Sequence, residues 1–211
     1  MFSIEYKGGN TVIISTKKAT LVIDPALSVV GLKDVVIKDA IEVATEPRFA
    51  IKNEDAKLAI EGPGDYEVSD FSIKGMAAQR HIDSESDEKL STVYRIEVGD
   101  GRIALLGNID GKLTDDQLEE LGVVDIVILP VGGSGYTLDA TSAAGIVRQM
   151  DPKVIIPVHY ADSGLKYEVP QDTLDTFTKE LGAPVEPVAK YKVKSASAFP
   201  LALTVVELTR S

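Results

Sequence analysis

A strand–helix–strand unit between residues 124 and 160 constrains the fold more than any other stretch of the chain. Residues 124–130 form an apolar run that is rich in β-branched residues and too short for a helix, so they predict a strand buried on both faces. A helical pattern follows over residues 139–150, and a second apolar strand covers residues 154–158. Two strands joined through a helix form a crossover unit, which indicates a parallel sheet in an α/β protein.

The second strand of this unit delivers His159, one of only two histidines in the chain. Functional groups in α/β folds tend to lie at the carboxyl ends of parallel strands, so this position is the first indication of a site. The glycine-rich turn at residues 132–135 could hold an anion with its backbone amides. We favour a tight turn instead, because neither of the usual phosphate-binding glycine patterns is present.

The remaining segments predict strands first and then strands mixed with helices. Strands are expected at residues 2–6, 11–16, 20–24, 41–45, 57–60, 66–68, 71–75, 76–81, 93–98, 102–106 and 201–208. Helices are expected from Thr114 and from Pro170–Asp172 to Gly182, whereas the hydrophilic run at residues 83–88 predicts a mobile loop. No repeat or long linker divides the chain, so we expect a single domain over residues 1–211 with two packed sheets flanked by helices.

Composition excludes several function classes. A net charge of -11 argues against nonspecific binding to nucleic acids or anionic membranes, because both require a basic face. The absence of cysteine excludes disulfides and thiolate metal sites. The first residues lack the charged start and apolar core of a signal peptide, and no apolar run reaches the length of a membrane span. A cytoplasmic location is therefore the expectation.

Several stretches in a fixed order carry a resemblance to a known family. They include Leu21-Val22-Ile23-Asp24-Pro25, Gly62-Pro63-Gly64-Asp65-Tyr66-Glu67-Val68, Leu105-Leu106-Gly107-Asn108, residues 113–122 and Pro152-Lys153-Val154-Ile155-Ile156-Pro157-Val158-His159-Tyr160. Together they resemble the metallo-β-lactamase superfamily, and within it the small single-domain proteins typified by ascorbate-6-phosphate lactonase. The resemblance implies a four-layer αββα sandwich with its site along one edge of the two sheets.

The family's metal-binding residues do not carry over to this chain. Its members hold one or two metal ions with a His-x-His-x-Asp-His motif, a middle His, an Asp that follows a Gly, and a late His. The motif falls on Thr45-Glu46-Pro47-Arg48-Phe49-Ala50, and the Gly-Asp position reads Gly107-Asn108. His81 falls near the middle position, and His159 matches the late one. The resemblance therefore implies a site that has lost most of its ligands.

The chain offers too few donors for a catalytic zinc site. Such a site takes about three protein ligands, whereas this chain has no Cys and only two His. Both acidic ligand positions are neutral, as Phe49 and Asn108, which avoids the cost of an unpaired buried carboxylate. We therefore expect no metal cofactor. The alternative is a weak residual site of His81, Asp110 and His159 that binds zinc, manganese or nickel.

Six residues are the candidates for binding in the former cleft: Thr45, Arg48, His81, Asn108, Asp110 and His159. A fixed guanidinium at Arg48 could replace part of the lost cationic charge and hold a carboxylate or phosphate. The competing interpretation, which we favour, is an exposed loop arginine. Asp24 is interpreted as a turn residue, and no Gly-x-Ser-x-Gly elbow supports a serine triad. No catalytic residue can be named.

Two functions follow from these observations. The first is a non-hydrolytic pseudoenzyme that binds a small anion or a partner protein in the former active-site cleft. The second is a metal-dependent hydrolase of an ester, lactone or phosphoester, which would activate water at a reduced metal site. Whether the chain is an enzyme stays open here, because the family implies hydrolysis and the missing motif opposes it. Oligomer formation is a further expectation, because lactonase-like relatives often assemble.

Overall fold

A computed structural model describes residues 1–83 and 90–211, so the predicted loop at residues 83–88 lies outside these ranges from residue 84 onward. The described residues form strands β1 (Phe2–Gly8), β2 (Thr11–Ser15), β3 (Thr20–Ile23), β4 (Ile41–Val43), β5 (Leu58–Ile60), β6 (Gly64–Val68), β7 (Phe71–Ala78), β8 (Ser91–Val98), β9 (Gly101–Leu105), β10 (Ile126–Pro130), β11 (Val154–Val158), β12 (Val185–Val188), β13 (Tyr191–Val193) and β14 (Thr204–Leu208). The α-helices are α1 (Asp115–Leu121), α2 (Ala140–Met150) and α3 (Leu174–Leu181).

Two sheets form the framework of the fold. One has the strand order β13-β1-β2-β3-β4-β5, and the other has the order β12-β14-β11-β10-β9-β8-β7-β6. In the second sheet β10 runs parallel to both β9 and β11, so that Ile128 lies opposite Leu105 and Ile156. The predicted crossover unit is confirmed. The carboxyl ends of these three strands meet at one edge of the sheet.

Burial explains why the central strands form. All residues of β10 and β11 are buried, as expected for apolar strands of a parallel sheet covered on both faces. One face contributes to the core between the sheets, where Ile4 and Ile23 from the first sheet belong to the same cluster as Ile128 from the second. The other face packs against the helices through residues such as Phe177. The predicted pair of packed sheets with helices is confirmed.

The three helices begin and end at the residue types that favour helix ends. Thr114 and Gln117 form a capping box at the start of α1. The Asp139 carboxylate accepts a 2.7 Å hydrogen bond from the Ser142 amide at the start of α2. Gly182 ends α3 in a left-handed conformation with φ of 71°. In the described ranges, no helix has the length and apolar character needed to cross a bilayer.

The outer face of the first sheet is covered without an α-helix. Ile13, Val22 and Ala40 form a small cluster there, with Val35 and Ile37 packed against it. These last two residues lie in irregular chain between a 3₁₀ turn and β4. Within the described residues, the helices whose side chains enter the core therefore pack on the second sheet.

Two short strands differ from the sequence-based expectation. β12 and β13 lie at the edges of the two sheets, and neither was predicted. Most of their residues are half-buried or exposed, and Pro187 interrupts the apolar pattern of β12, so the alternation typical of strands is weak. Residues 71–81, predicted as two strands, form the single strand β7 that ends at Ala78.

Candidate functional site

The candidate site lies where loops leave the ends of several strands. Thr45–Ala50, the segment on which the family's ligand motif is expected to fall, follows β4, while Asn108 follows β9 and His159 follows β11. The His159 amide donates a 2.8 Å hydrogen bond to the Gly9 carbonyl in the turn between β1 and β2. The Thr92 amide donates a 2.8 Å hydrogen bond to the Thr45 carbonyl, which ties the two sheets together at this edge.

Glu46 is a buried carboxylate at the centre of the site, and its side chain is 1% exposed. Its Oε2 lies 3.2 Å from Arg48 Nε and 3.3 Å from Arg80 Nη1. Its Oε1 accepts a 3.0 Å hydrogen bond from Asn108 Nδ2. These partners offset the loss of hydration, because burying a carboxylate without them costs several kcal/mol of folding free energy. We call Glu46, Arg48 and Arg80 the arginine–glutamate cluster.

A row of hydrogen bonds links this cluster to His159. Asn10 Nδ2 donates to Asn108 Oδ1 at 3.2 Å, and Asn10 Oδ1 lies 3.2 Å from His159 Nδ1. Because Asn10 presents an acceptor to the ring, Nδ1 of the imidazole carries the proton. The late histidine of the family is therefore an end member of a hydrogen-bonded row.

His159 is enclosed and neutral. It is 3% exposed, and burial, together with the nearby Arg48, lowers the pKa of its imidazole to about 3. The rings of Tyr136 and Tyr167 lie 5.5 and 4.8 Å from the imidazole, measured between ring centroids. Its φ of 50° lies in the left-handed region, which non-glycine residues adopt mainly where the surrounding structure holds them.

Asp24 anchors the start of the former ligand segment. It is 1% exposed, and its carboxylate accepts 2.7 Å hydrogen bonds from both the amide and the hydroxyl of Thr45. Burial raises the pKa of this carboxyl to about 7, although the hydrogen bonds from Thr45 act in the opposite direction. The residue also turns the chain, with φ of 47°. The interpretation of Asp24 as a turn residue therefore missed its second role.

The buried Asp24 is expected to make the protein less stable as the pH rises. Below pH 3.8 the carboxyl is protonated in both the folded and the unfolded state. Between pH 3.8 and about pH 7 only the unfolded state loses the proton. Relative to Asp24→Asn, the free energy of unfolding of the wild type should fall by about 2 kcal/mol between about pH 5 and about pH 6.5. Urea unfolding at each pH measures this difference. A difference that does not change with pH would contradict a neutral Asp24.

Arg48 contacts two aromatic rings and two carboxylates. Its guanidinium carbon is 4.6 Å from the ring centroid of Phe49 and 4.8 Å from that of Tyr136. Its Nη1 lies 3.7 Å from Glu168, in addition to the ion pair with Glu46. The side chain is 29% exposed. The interpretation as an exposed loop arginine is therefore wrong.

His81 and Asp110 form a separate pair beside the cluster. His81 Nδ1 lies 4.0 Å from Asp110 Oδ1, and the His81 amide donates a 3.1 Å hydrogen bond to the Asn108 carbonyl. Among residues 1–83 and 90–211, no three His, Asp or Glu side chains come together as a metal-binding group. The alternative set of His81, Asp110 and His159 is thus not assembled in this part of the chain.

The residues of the site do not fit the family's catalytic metal. A guanidinium has no lone pair to donate, and two of them beside Glu46 would repel a cation. His159 Nδ1 is already engaged with Asn10. Zinc in a catalytic site takes about three protein ligands, which this arrangement does not offer. No step of a metal-dependent reaction can be derived from these side chains.

The glycine-rich turn after β10 contains hydrogen bonds between its own groups. The Gly133 amide donates 2.9 Å to Thr137 Oγ1 and 3.1 Å to the Leu138 carbonyl, and the Thr137 amide donates 3.2 Å to the Gly133 carbonyl. The Gly133 amide is therefore engaged within the turn, as the tight-turn interpretation of residues 132–135 predicts.

Sequence reasoning missed three residues of the site: Asn10, Glu46 and Arg80. Glu46 occupies a variable position of the family motif. It was overlooked because the prediction rested on the metal-ligand positions and not on the residues between them. Its spacing of two residues from Arg48, directly after a buried strand, was the available signal. Asn10 and Arg80 lie far from that segment in sequence, and only folding brings them close.

Comparison with known proteins adds independent information. A family model described as a beta-lactamase superfamily domain matches residues 3–159. A protein named a metal-dependent hydrolase, from Nanoarchaeum equitans, is 26% identical in sequence, and the match covers 74% of this chain and 83% of that protein.

Two solved structures are similar over nearly the whole chain. A metallo-β-lactamase superfamily protein of Thermotoga maritima has a TM-score of 0.74 at 22% identity, and the match covers 99% of each chain. A metallo hydrolase of Ignicoccus hospitalis has a TM-score of 0.59 at 15% identity, and the match covers 99% of this chain and 94% of that one. At such identities the likeness shows the fold and not the chemistry.

Proposed function

Because the chain belongs to the metallo-β-lactamase superfamily, yet carries an arginine–glutamate cluster in the former ligand segment, we propose that it is a non-hydrolytic member that binds a small anion at Arg48. The observation that carries this proposal is the buried Glu46 carboxylate with its ion pairs to Arg48 and Arg80. The cluster holds fixed positive charge in the segment where relatives of this fold place metal ligands.

The ion pairs of Arg48 support an anion as the ligand. Glu46 is shared between two guanidiniums, so Arg48 keeps attraction for a second negative group. Glu168 takes that role, and its side chain is 66% exposed at a distance of 3.7 Å. An exposed pair of this kind contributes about 1 kcal/mol or less, so a ligand carboxylate or phosphate can replace it. A guanidinium held between two rings is also preorganised to bind such planar or tetrahedral oxyanions.

The alternative function remains metal-dependent hydrolysis of an ester, lactone or phosphoester. Its support is the name of the Nanoarchaeum equitans relative, a metal-dependent hydrolase at 26% identity. Against it stands the poor fit of the side chains at the site to a cation. The third option is a partner protein in the cleft.

Ligand-dependent melting tests the proposal. Phosphate, sulfate or acetate at saturating concentration should raise the melting temperature of the wild type, because a ligand that binds only the native state stabilises it. Arg48→Ala should lose this shift, whatever its own melting temperature. Arg102→Ala is the matched control, because Arg102 is 51% exposed and pairs with Glu97 away from the cluster.

Metal content distinguishes the alternative. Protein purified without chelators should contain no stoichiometric metal by elemental analysis, and titration with zinc or manganese should show no site of micromolar affinity. Stoichiometric binding at that affinity, lost in His159→Asn, would favour the hydrolase. An absent anion shift together with absent metal binding would leave a partner protein as the occupant of the cleft.

A further inference from the structure

A mostly apolar pocket is lined by three residues that contact Arg48, namely Phe49, Tyr136 and Glu168. Its walls include the aromatic rings of Phe49, Tyr136 and Tyr167 and the side chains of Val29 and Val169. The polar residues at its border are His159, Glu168 and Gln171. Val29 is 39% exposed, so apolar surface at the pocket is left open to solvent. Apolar surface next to a cationic group is suited to a ligand that has both an apolar part and a negative charge.

Glu168 already provides a carboxylate to the open side of Arg48. Its Oε2 lies 3.7 Å from Arg48 Nη1, while Arg48 Nε faces the buried Glu46 at 3.2 Å. Glu168 thus occupies the position that the acidic group of a ligand would take. Because Glu168 is mostly exposed, its displacement costs little and returns a charged side chain to water.

We infer that the anion bound at this site is an organic carboxylate with an apolar body, and that Glu168 acts as its built-in competitor. This inference rests on the proposed function. The carboxylate pairs with Arg48 in place of Glu168, and the body packs against Tyr136, Tyr167 and the two valines. Inorganic phosphate and sulfate meet the charge of Arg48 but leave the apolar walls unused, so they bind more weakly.

Binding of such a ligand requires a shift of residues 167–171. With this segment in place, the pocket has a volume of about 10 Å³, which is room for one water molecule. In the described parts of the chain, the backbone of residues 167–171 makes no hydrogen bond to another backbone group. Flanking contacts hold its two ends, through Lys166 to the Val30 carbonyl at 2.9 Å and Asp172 to the Gly132 carbonyl at 2.7 Å. The Tyr167 hydroxyl also donates a 2.8 Å hydrogen bond to the Tyr160 carbonyl, so a shift of the whole segment must break this bond.

Calorimetric titration with phenylacetate, acetate and inorganic phosphate tests the inference. Phenylacetate should bind about tenfold or more tightly than either acetate or phosphate, because only its ring buries apolar surface in the pocket. Glu168→Gln should tighten phenylacetate binding by about two- to fivefold, since it removes the competing charge. Glu180→Gln is the matched control, because Glu180 is a partly exposed glutamate that pairs with Arg148 elsewhere.

The outcomes separate this inference from the proposed function. Phosphate binding as tight as phenylacetate binding, or an affinity for phenylacetate that Glu168→Gln does not raise above the Glu180→Gln control, would overturn the apolar carboxylate and leave anion binding intact. Absence of binding by all three probes, in the wild type and in Glu168→Gln, would overturn the proposed function itself. Phenylacetate binding that survives Arg48→Ala would also reject the assigned position of the carboxylate.

Discussion

Replacing Glu46 with alanine is expected to lower the free energy of unfolding by about 3–5 kcal/mol. The carboxylate is 1% exposed, and its removal leaves Arg48 and Arg80 close together without the anion between them. Asn108 Nδ2 also loses its acceptor, so a buried donor is left without the 3.0 Å hydrogen bond. Urea denaturation followed by circular dichroism measures the change.

Glu168→Ala is the matched control for this prediction. It removes a carboxylate from the same arginine, but Glu168 is 66% exposed, so its loss should cost about 1 kcal/mol or less. Glu46→Gln should fall between the two, because it keeps an acceptor for Asn108 and removes only the charge. If Glu46→Ala were no more destabilising than Glu168→Ala, the cluster would contribute nothing to the stability of the fold.

Acidification is expected to destabilise the wild type relative to His159→Asn by about 3 kcal/mol between about pH 6.5 and about pH 4. The imidazole has a pKa of about 3 in the fold, against 6.5 in the unfolded chain. The contribution of the neutral imidazole to the free energy of unfolding is complete above pH 6.5. This contribution is lost as the pH falls, because only the unfolded state then binds the proton. Asparagine suits this position, since it tolerates the φ of 50°.

The comparison with the variant isolates this one group. The carboxyl groups titrate in both proteins, so their contributions cancel in the difference between the free energies of unfolding of the two proteins. Asp24 acts in the opposite direction, because its raised pKa favours the fold at low pH. In an Asp24→Asn background the free energy of unfolding itself should therefore fall more steeply on acidification, while the difference between His159 and its asparagine variant should stay the same. A constant difference between wild type and His159→Asn across this pH range would mean that the folded protein accepts the proton on His159.

Much of the framework could be predicted because its signals are local. The apolar runs at β10 and β11, the Asp139 cap of α2 and the end of α3 at Gly182 each depend on a few consecutive residues. Edge strands β12 and β13 escaped prediction, because half-exposed short strands are stabilised by their neighbours in the sheet and not by their own pattern. Arg48 was named as a candidate from the sequence, but its contacts with Tyr136 and Glu168 depend on folding.

The site shows the same division. The sequence shows that Thr45–Ala50 contains no histidine and no aspartate, and that a histidine stands at position 159. The sequence does not show that Glu46 is buried, because its contacts with Arg80 and Asn108 form only on folding. Burial, and the pKa shifts that follow from it at Asp24 and His159, are properties of packed surroundings.

The sequence by itself determined the family and the two-sheet α/β framework, because both depend on residue types in a fixed order. Only the tertiary structure decided which side chains meet at the candidate site. Glu46 and Arg80 lie 34 positions apart, and the intervening sequence does not indicate their ion pair, which forms when the fold brings together the segments that follow β4 and β7. Coulomb attraction and desolvation depend on distance and burial, and a sequence specifies neither until the chain has folded.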